Sequence, residues 1–149
     1  MNWRLPPAPR TGWRHSLKPE ISEVVKACSR ASDEGGESFG AIVMRLMAAG
    51  IERYHADLVR AEKTYYLADG DSECVENNPV AGALAADFSA SGVAAAVKAA
   101  QASAIVYKTF CEQVLAAGCA GYIVSIAGKR VIYYGRTGDM HVEWFPGAQ

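Results

Sequence analysis

The chain repeats itself. Shifted by 68 residues, Ala48-Ala49-Gly50 falls on Ala116-Ala117-Gly118, Tyr54 on Tyr122, Tyr65-Tyr66 on Tyr133-Tyr134, and Gly70-Asp71 on Gly138-Asp139, all without a gap. The stretches just upstream match as well: Phe39, Ile42, Val43, Leu46 and Met47 recur as Tyr107, Phe110, Cys111, Val114 and Leu115. Both sets follow the i, i+3, i+4, i+7, i+8 spacing of an apolar helical stripe. Each stripe runs into a glycine, the residue that ends a helix most easily in the left-handed conformation. Further upstream the offset becomes 72, aligning Ile21, Val24, Val25 and Cys28 with Val93, Ala96, Val97 and Ala100. Ser32-Asp33-Glu34-Gly35-Gly36 absorbs the difference, as loops tolerate insertions.

This pattern predicts an α+β domain built as a tandem duplication of an αα-ββ(β) unit. The sheet should be mainly antiparallel, with helices packed on one face and the halves related by a pseudo-twofold axis. The halves are placed at about 19–78 and 79–149. Helices are expected from Pro19 to about Arg30, Glu37–Ala49, within the alanine-rich stretch 81–104, and Tyr107–Ala117. Twelve of the 24 residues in 81–104 are alanine, which favours helix and close packing. Strands are expected at Ile51–Val59, Lys63–Leu67, Ser72–Val75, Gly121–Ala127, Arg130–Gly135 and Met140–Phe145. Gly128-Lys129 reads as a two-residue hairpin turn, and Asn77-Asn78-Pro79 as the joint between halves.

Residues 1–18 stand apart. They hold Pro6, Pro7 and Pro9, two tryptophans and four basic residues, with no acid before Glu20. Such a segment cannot form a regular helix and reads as an extended arm. Any nucleic-acid contact would have to come from this arm, because the whole chain carries a net charge of −1. No apolar run approaches the roughly 20 residues that span a membrane, and the N-terminus lacks the apolar centre of a signal peptide. The four cysteines form no CxxC pair. Free thiols in a reducing cytoplasm follow as the expectation.

No nucleophile elbow, phosphate-binding loop or dinucleotide fingerprint occurs. Gly35-Gly36 reads as a loop, and Cys111 belongs to a buried stripe. The remaining chemistry sorts by strand alternation. Placing Tyr122, Val124, Val142 and Trp144 toward the helices leaves Ile123, Ser125, Ile132, Tyr134, His141 and Glu143 on the other face. The first half adds His55, Asp57, Thr64 and Tyr66 to that face. His55, Asp57, His141 and Glu143 are therefore the catalytic candidates, and Tyr66, Tyr134, Ser125 and Thr64 the ligand-binding ones. Catalysis or metal binding would require three or more of these groups to converge. No metal and no cofactor is assigned.

Gln101, Tyr107-Lys108-Thr109-Phe110-Cys111, Ala117-Gly118, Tyr122, Tyr133-Tyr134, Gly138, Val142-Glu143 and Pro146 together resemble the bacterial YbcV-like family. Its members are often labelled phage envelope protein. The resemblance spans roughly residues 20–149 and is strongest in the last third. Val106 and Ser125 stand where that family usually has aspartate. The resemblance implies a small bacterial protein of unknown activity and prophage origin. The residues themselves favour a non-catalytic binding or interaction module, with self-association through the open sheet face or a sheet edge. The competing expectation is an enzyme built on the His/Asp/Glu cluster.

Overall fold

A computed structural model describes residues 17–148. The arm expected over residues 1–18 lies, but for Leu17 and Lys18, outside the described residues. The element order is α1 (Pro19–Glu34), α2 (Phe39–Ala48), β1 (Ile51–Asp57), β2 (Glu62–Leu67), β3 (Ser72–Glu76), α3 (Ala90–Gln101), α4 (Tyr107–Ala116), β4 (Cys119–Ser125), β5 (Arg130–Gly135) and β6 (Met140–Trp144). The six strands form one antiparallel sheet in the order β3-β2-β1-β4-β5-β6. The domain is α+β, with the helices packed against the sheet.

Each local signal has a visible cause. Pro19 opens α1, where its missing N–H costs nothing, and Gly35 closes it in the left-handed conformation. The Ser38 and Ser89 hydroxyls cap α2 and α3 by accepting from Ala41 N and Gly92 N. Helix α3 is shorter than the alanine content suggests, because residues 81–89 take another job. Ala85 N and Ser89 N donate to the carbonyls of Leu115 and Ala117, satisfying the orphan acceptors at the end of α4.

The registers of the two halves coincide at the same 68-residue offset. Tyr54 pairs with Tyr65 as Tyr122 pairs with Tyr133, and Thr64 pairs with Cys74 as Ile132 pairs with Val142. Between the halves, β1 and β4 meet with His55 opposite Ile123. Those two are equivalent positions, so a twofold operation relating the halves passes between them.

Tyr54, Tyr65, Tyr122, Val124, Val131 and Tyr133 are buried with Leu46, Phe110 and Val114 in one core beneath the helices. The aromatic members pack edge-to-face and tilted, as Phe110 does on Tyr122 and Tyr133 with centroids 6.5 and 6.2 Å apart. Tyr107 Oη and Tyr122 Oη share a 2.6 Å hydrogen bond.

Two expectations about the hairpins are corrected. The β4–β5 connection is not a two-residue Gly128-Lys129 turn. Ser125 pairs with Arg130, so Ile126, Ala127, Gly128 and Lys129 all lie in the loop, with Lys129 at φ 55°. This moves the register by two residues, an even step that leaves every side chain on its expected face. The second correction reverses a face. His141 pairs with Tyr133 and Glu143 with Val131, and both partners are buried beneath the helices. His141 and Glu143 therefore lie on the helix side, and Val142 and Trp144 on the open side. The three-residue connection Arg136-Thr137-Gly138, closed by Gly135 N on Asp139 O at 2.8 Å, fixes this register. Hydrophobicity misled because β6 is an edge strand, where apolar side chains can pack along an outer face.

Candidate functional site

The open face is three rows of side chains running across all six strands. The middle row is Cys74, Thr64, His55, Ile123, Ile132, Val142. On one side of it run Ser72, Tyr66, Arg53, Ser125, Arg130 and Trp144, and on the other Glu76, Glu62, Asp57, Gly121, Tyr134 and Met140. All four ligand-binding candidates lie on this face, as do His55 and Asp57.

At the centre, Tyr134 leans across β4 to reach β1. Gly121 makes this possible. A side chain there would collide with the Tyr134 hydroxyl and stand 2.6 Å from Ala56 O. The tyrosine ring occupies that space and its hydroxyl meets His55 Nε2 at 2.5 Å. Partial burial raises the Tyr134 phenol above its ordinary value, and the Asp57 carboxylate adds to the effect. Asp57 is engaged elsewhere too: its Oδ1 accepts from Val59 N and Arg60 N, both at 3.0 Å. That geometry is the local side-chain turn that aspartate makes by preference. Ser125, the equivalent residue, accepts from Gly128 N at 2.8 Å in the other hairpin. Both residues thus hold turns.

The first half fills the position of Gly121 with Arg53, whose guanidinium stacks on Tyr66 at 4.3 Å from the ring centroid. Arg130 stacks in the same way on Trp144, also at 4.3 Å. Stacking fixes each guanidinium and leaves its N–H edge to donate to a carboxylate, as Arg53 Nη1 does to Glu52. Trp144 is 42% exposed and Met140 65%. The face thus combines an apolar middle, two held guanidinium groups and a hydrogen-bonded His–Tyr pair.

The four catalytic candidates do not come together. His141 Nε2 and Glu143 Oε1 pair at 2.8 Å on the helix side of β6, on the opposite sheet face from His55 and Asp57. Among the described residues no three His, Cys, Asp or Glu side chains are grouped to hold a metal ion, and no helix is long and apolar enough to cross a membrane.

Sequence reasoning passed over Lys63. It lies on the helix side of β2, opposite Ala56, and is 3% exposed. The signal was present in the alternation: Lys63 shares a face with Tyr65, and its equivalent in the other half is Val131. A charged residue at a doubled, apolar position is the mark to look for.

A family model described as "Protein of unknown function (DUF1398)" matches residues 80–143, less than half of the chain. The matched stretch runs from before α3 into β6 and so falls within one of the two αα-βββ units. No curated protein matches the chain.

Proposed function

We propose that this chain is a non-catalytic interaction module whose open sheet face docks a second copy of itself. The observation that carries the reading is the charge layout of that face. Glu76, Glu62 and Asp57 occupy one corner, and Trp144, Arg130 and Ser125 the diagonally opposite corner. Glu62 and Arg130 are equivalent positions, about 10 Å on either side of the His55–Ile123 pair. A dyad along the other diagonal sets Glu62 of each copy over Arg130 of the other, twice. Ile123, Ile132 and Val142 lie along the same contact, and the strands of the two sheets cross near a right angle, one of the two usual sheet-packing modes. Glu62 now pairs with the exposed Arg60 at 2.9 Å, and such surface pairs exchange partners at little cost.

Aromatic residues and arginine are also the residue types that dominate binding hot spots. Catalysis is the weaker reading, because the four catalytic candidates divide between the two sheet faces and His55 meets only Tyr134. The same proposal takes the two halves as descendants of one duplicated unit, supported by the matching registers and by a family match within one half. A cytoplasmic location accords with four free cysteines. The proposal extends to a YbcV-like likeness and a prophage origin, supported by the motifs from Gln101 to Pro146.

Light scattering across a dilution series tests the self-association. The wild type should be dimeric, Arg130→Glu should weaken association by at least about tenfold, and adding Glu62→Arg should restore it. A wild type that stays monomeric at every concentration, or an Arg130→Glu variant that associates unchanged, overturns the proposal.

A further inference from the structure

On the helix side of the sheet, the cavity beside Lys63 holds about 20 Å³, room for little more than one water. A larger recess, of about 380 Å³, opens between α1 and the edge strand β3. Lys26, Arg30 and Asp33 stand on its helix wall, and Cys74, Val75 and Glu76 on its strand wall.

The strand wall is an open backbone edge. Leu67 N donates to Asp71 O and Asn77 N to Ala61 O, and β3 pairs with β2 in the register between them. In an antiparallel ladder, alternate residues turn their backbone groups to the neighbouring strand. Asp71, Glu73, Val75 and Asn77 therefore face β2. The N–H and C=O groups of Ser72, Cys74 and Glu76 face outward, and no described backbone group bonds to them.

The helix wall runs beside that edge. Ser22 Oγ donates to Glu73 at 2.7 Å, and seven residues on Ser29 Oγ accepts from Asn77 Nδ2 at 2.6 Å, so helix and strand run in the same direction. Lys26 and Arg30 are exposed on this stretch. Neither is in an ion pair among the described residues. Four helical residues advance about 6 Å, and two residues of an extended strand about 6.6 Å. Lys26 and Arg30 are thus spaced like alternate side chains of a strand laid against β3.

We infer that this edge takes up an extended peptide of a partner protein, with acidic side chains at two alternate positions. The peptide adds as a further strand. Its backbone bonds to Ser72, Cys74 and Glu76, and its two acids turn toward the helix, onto Lys26 and Arg30. In this mode of recognition the edge supplies affinity and the flanking wall supplies selectivity. Glu23, about one turn before Lys26, and Asp33, about one turn past Arg30, confine acid to those two positions. Charge also decides among occupants. Residues 1–16 hold Arg4, Arg10 and Arg14 and no acid, and would set like charges against Lys26 and Arg30. A second copy pairing through its own β3 would bring Glu73 and Val75 to this side, and Glu73 is already engaged by Leu17 and Ser22. The edge is separate from the Glu62–Arg130 contact and does not depend on it.

The test titrates the full chain into a fluorescently labelled, end-blocked peptide of seven residues, with glutamate third and fifth and valine or threonine elsewhere, and follows anisotropy. A peptide with its glutamates adjacent turns them to opposite faces and should bind at least about tenfold more weakly. Lys26→Glu and Arg30→Glu should each weaken the alternating peptide by at least about tenfold, with circular dichroism and light scattering unchanged. Peptide should also slow amide exchange at Ser72, Cys74 and Glu76. No binding up to about 1 mM, or equal binding of the two peptides, overturns the inference. So does slow exchange at those three amides before peptide is added. Unchanged on dilution, it marks residues 1–16 as the occupant, and relieved by dilution, a second copy.

Discussion

Lys63 is the one charged residue buried in the core among the described residues. Its ammonium is held down by burial, and Asp33, Cys111 and Cys28 oppose that effect only in part. Tyr107, Asp57 and Glu62 are the other ionisable groups around its cavity. Because the folded value lies below 10.5, the unfolded chain binds more protons at pH values between the two. Stability attributable to this group therefore rises with pH through that window, and its cost is complete below the folded value. Lys63→Met should stabilise the domain by about 1–2 kcal/mol near neutral pH. In urea titrations repeated at rising pH, the gain should shrink toward pH 10.5 and vanish above it. The buried tyrosines act in the opposite sense. Burial raises Tyr54, Tyr107 and Tyr122 well above 10, so their contribution is intact below that value and is lost as pH climbs beyond it.

Among the elements, β3 and β6 show how an edge strand acquires its role from its neighbours. The two strands occupy equivalent places, and Glu73 and His141 are equivalent residues. Glu73 anchors α1: Leu17 N donates to Oε1 at 3.2 Å and Ser22 Oγ to Oε2 at 2.7 Å. Lys18, the residue that precedes the first helical turn, makes no side-chain cap, so this carboxylate does the work from a distant strand. It also sits where a helix favours negative charge. Glu73→Ala should cost about 1–3 kcal/mol and speed hydrogen exchange in the first turns of α1 more than elsewhere. Equal exchange across the chain would contradict the anchoring role. Helix α3 packs on β6 as α1 does on β3, yet His141 pairs within its own strand, with Glu143. None of this was legible from β3 or β6 alone. Their short alternations fit either face, and the three-residue turns that choose the face depend on φ at Gly70 and Gly138. The longer hairpin strands were readable because tyrosines recur there at equivalent places in both halves, as Tyr54 with Tyr122, Tyr65 with Tyr133 and Tyr66 with Tyr134.

For the whole molecule, the central β1–β4 pairing is the decisive contact. It joins two similar units through the same edge, with His55 opposite Ile123. An isolated second half would expose that edge of β4, with its backbone groups unpaired. Residues 79–149 expressed alone should therefore dimerise, pairing β4 with β4 of a second copy around Ile123. Sedimentation would show a dimer of half-chains, and crosslinking through Ile123→Cys would join them. A well-folded monomeric half would show that the central pairing is dispensable.

By itself the sequence determined the α+β class, the two equivalent units, and the side of the sheet that each hairpin tyrosine takes. Those follow from periodicity and repetition, which act over a few residues and are written along the chain. Tertiary structure decided the rest: that His141 and Glu143 turn away from His55, that Tyr134 crosses Gly121 to reach His55, and that Lys63 is enclosed rather than solvated. Each depends on the distance between groups far apart in sequence, and only the packed sheet brings those groups into reach.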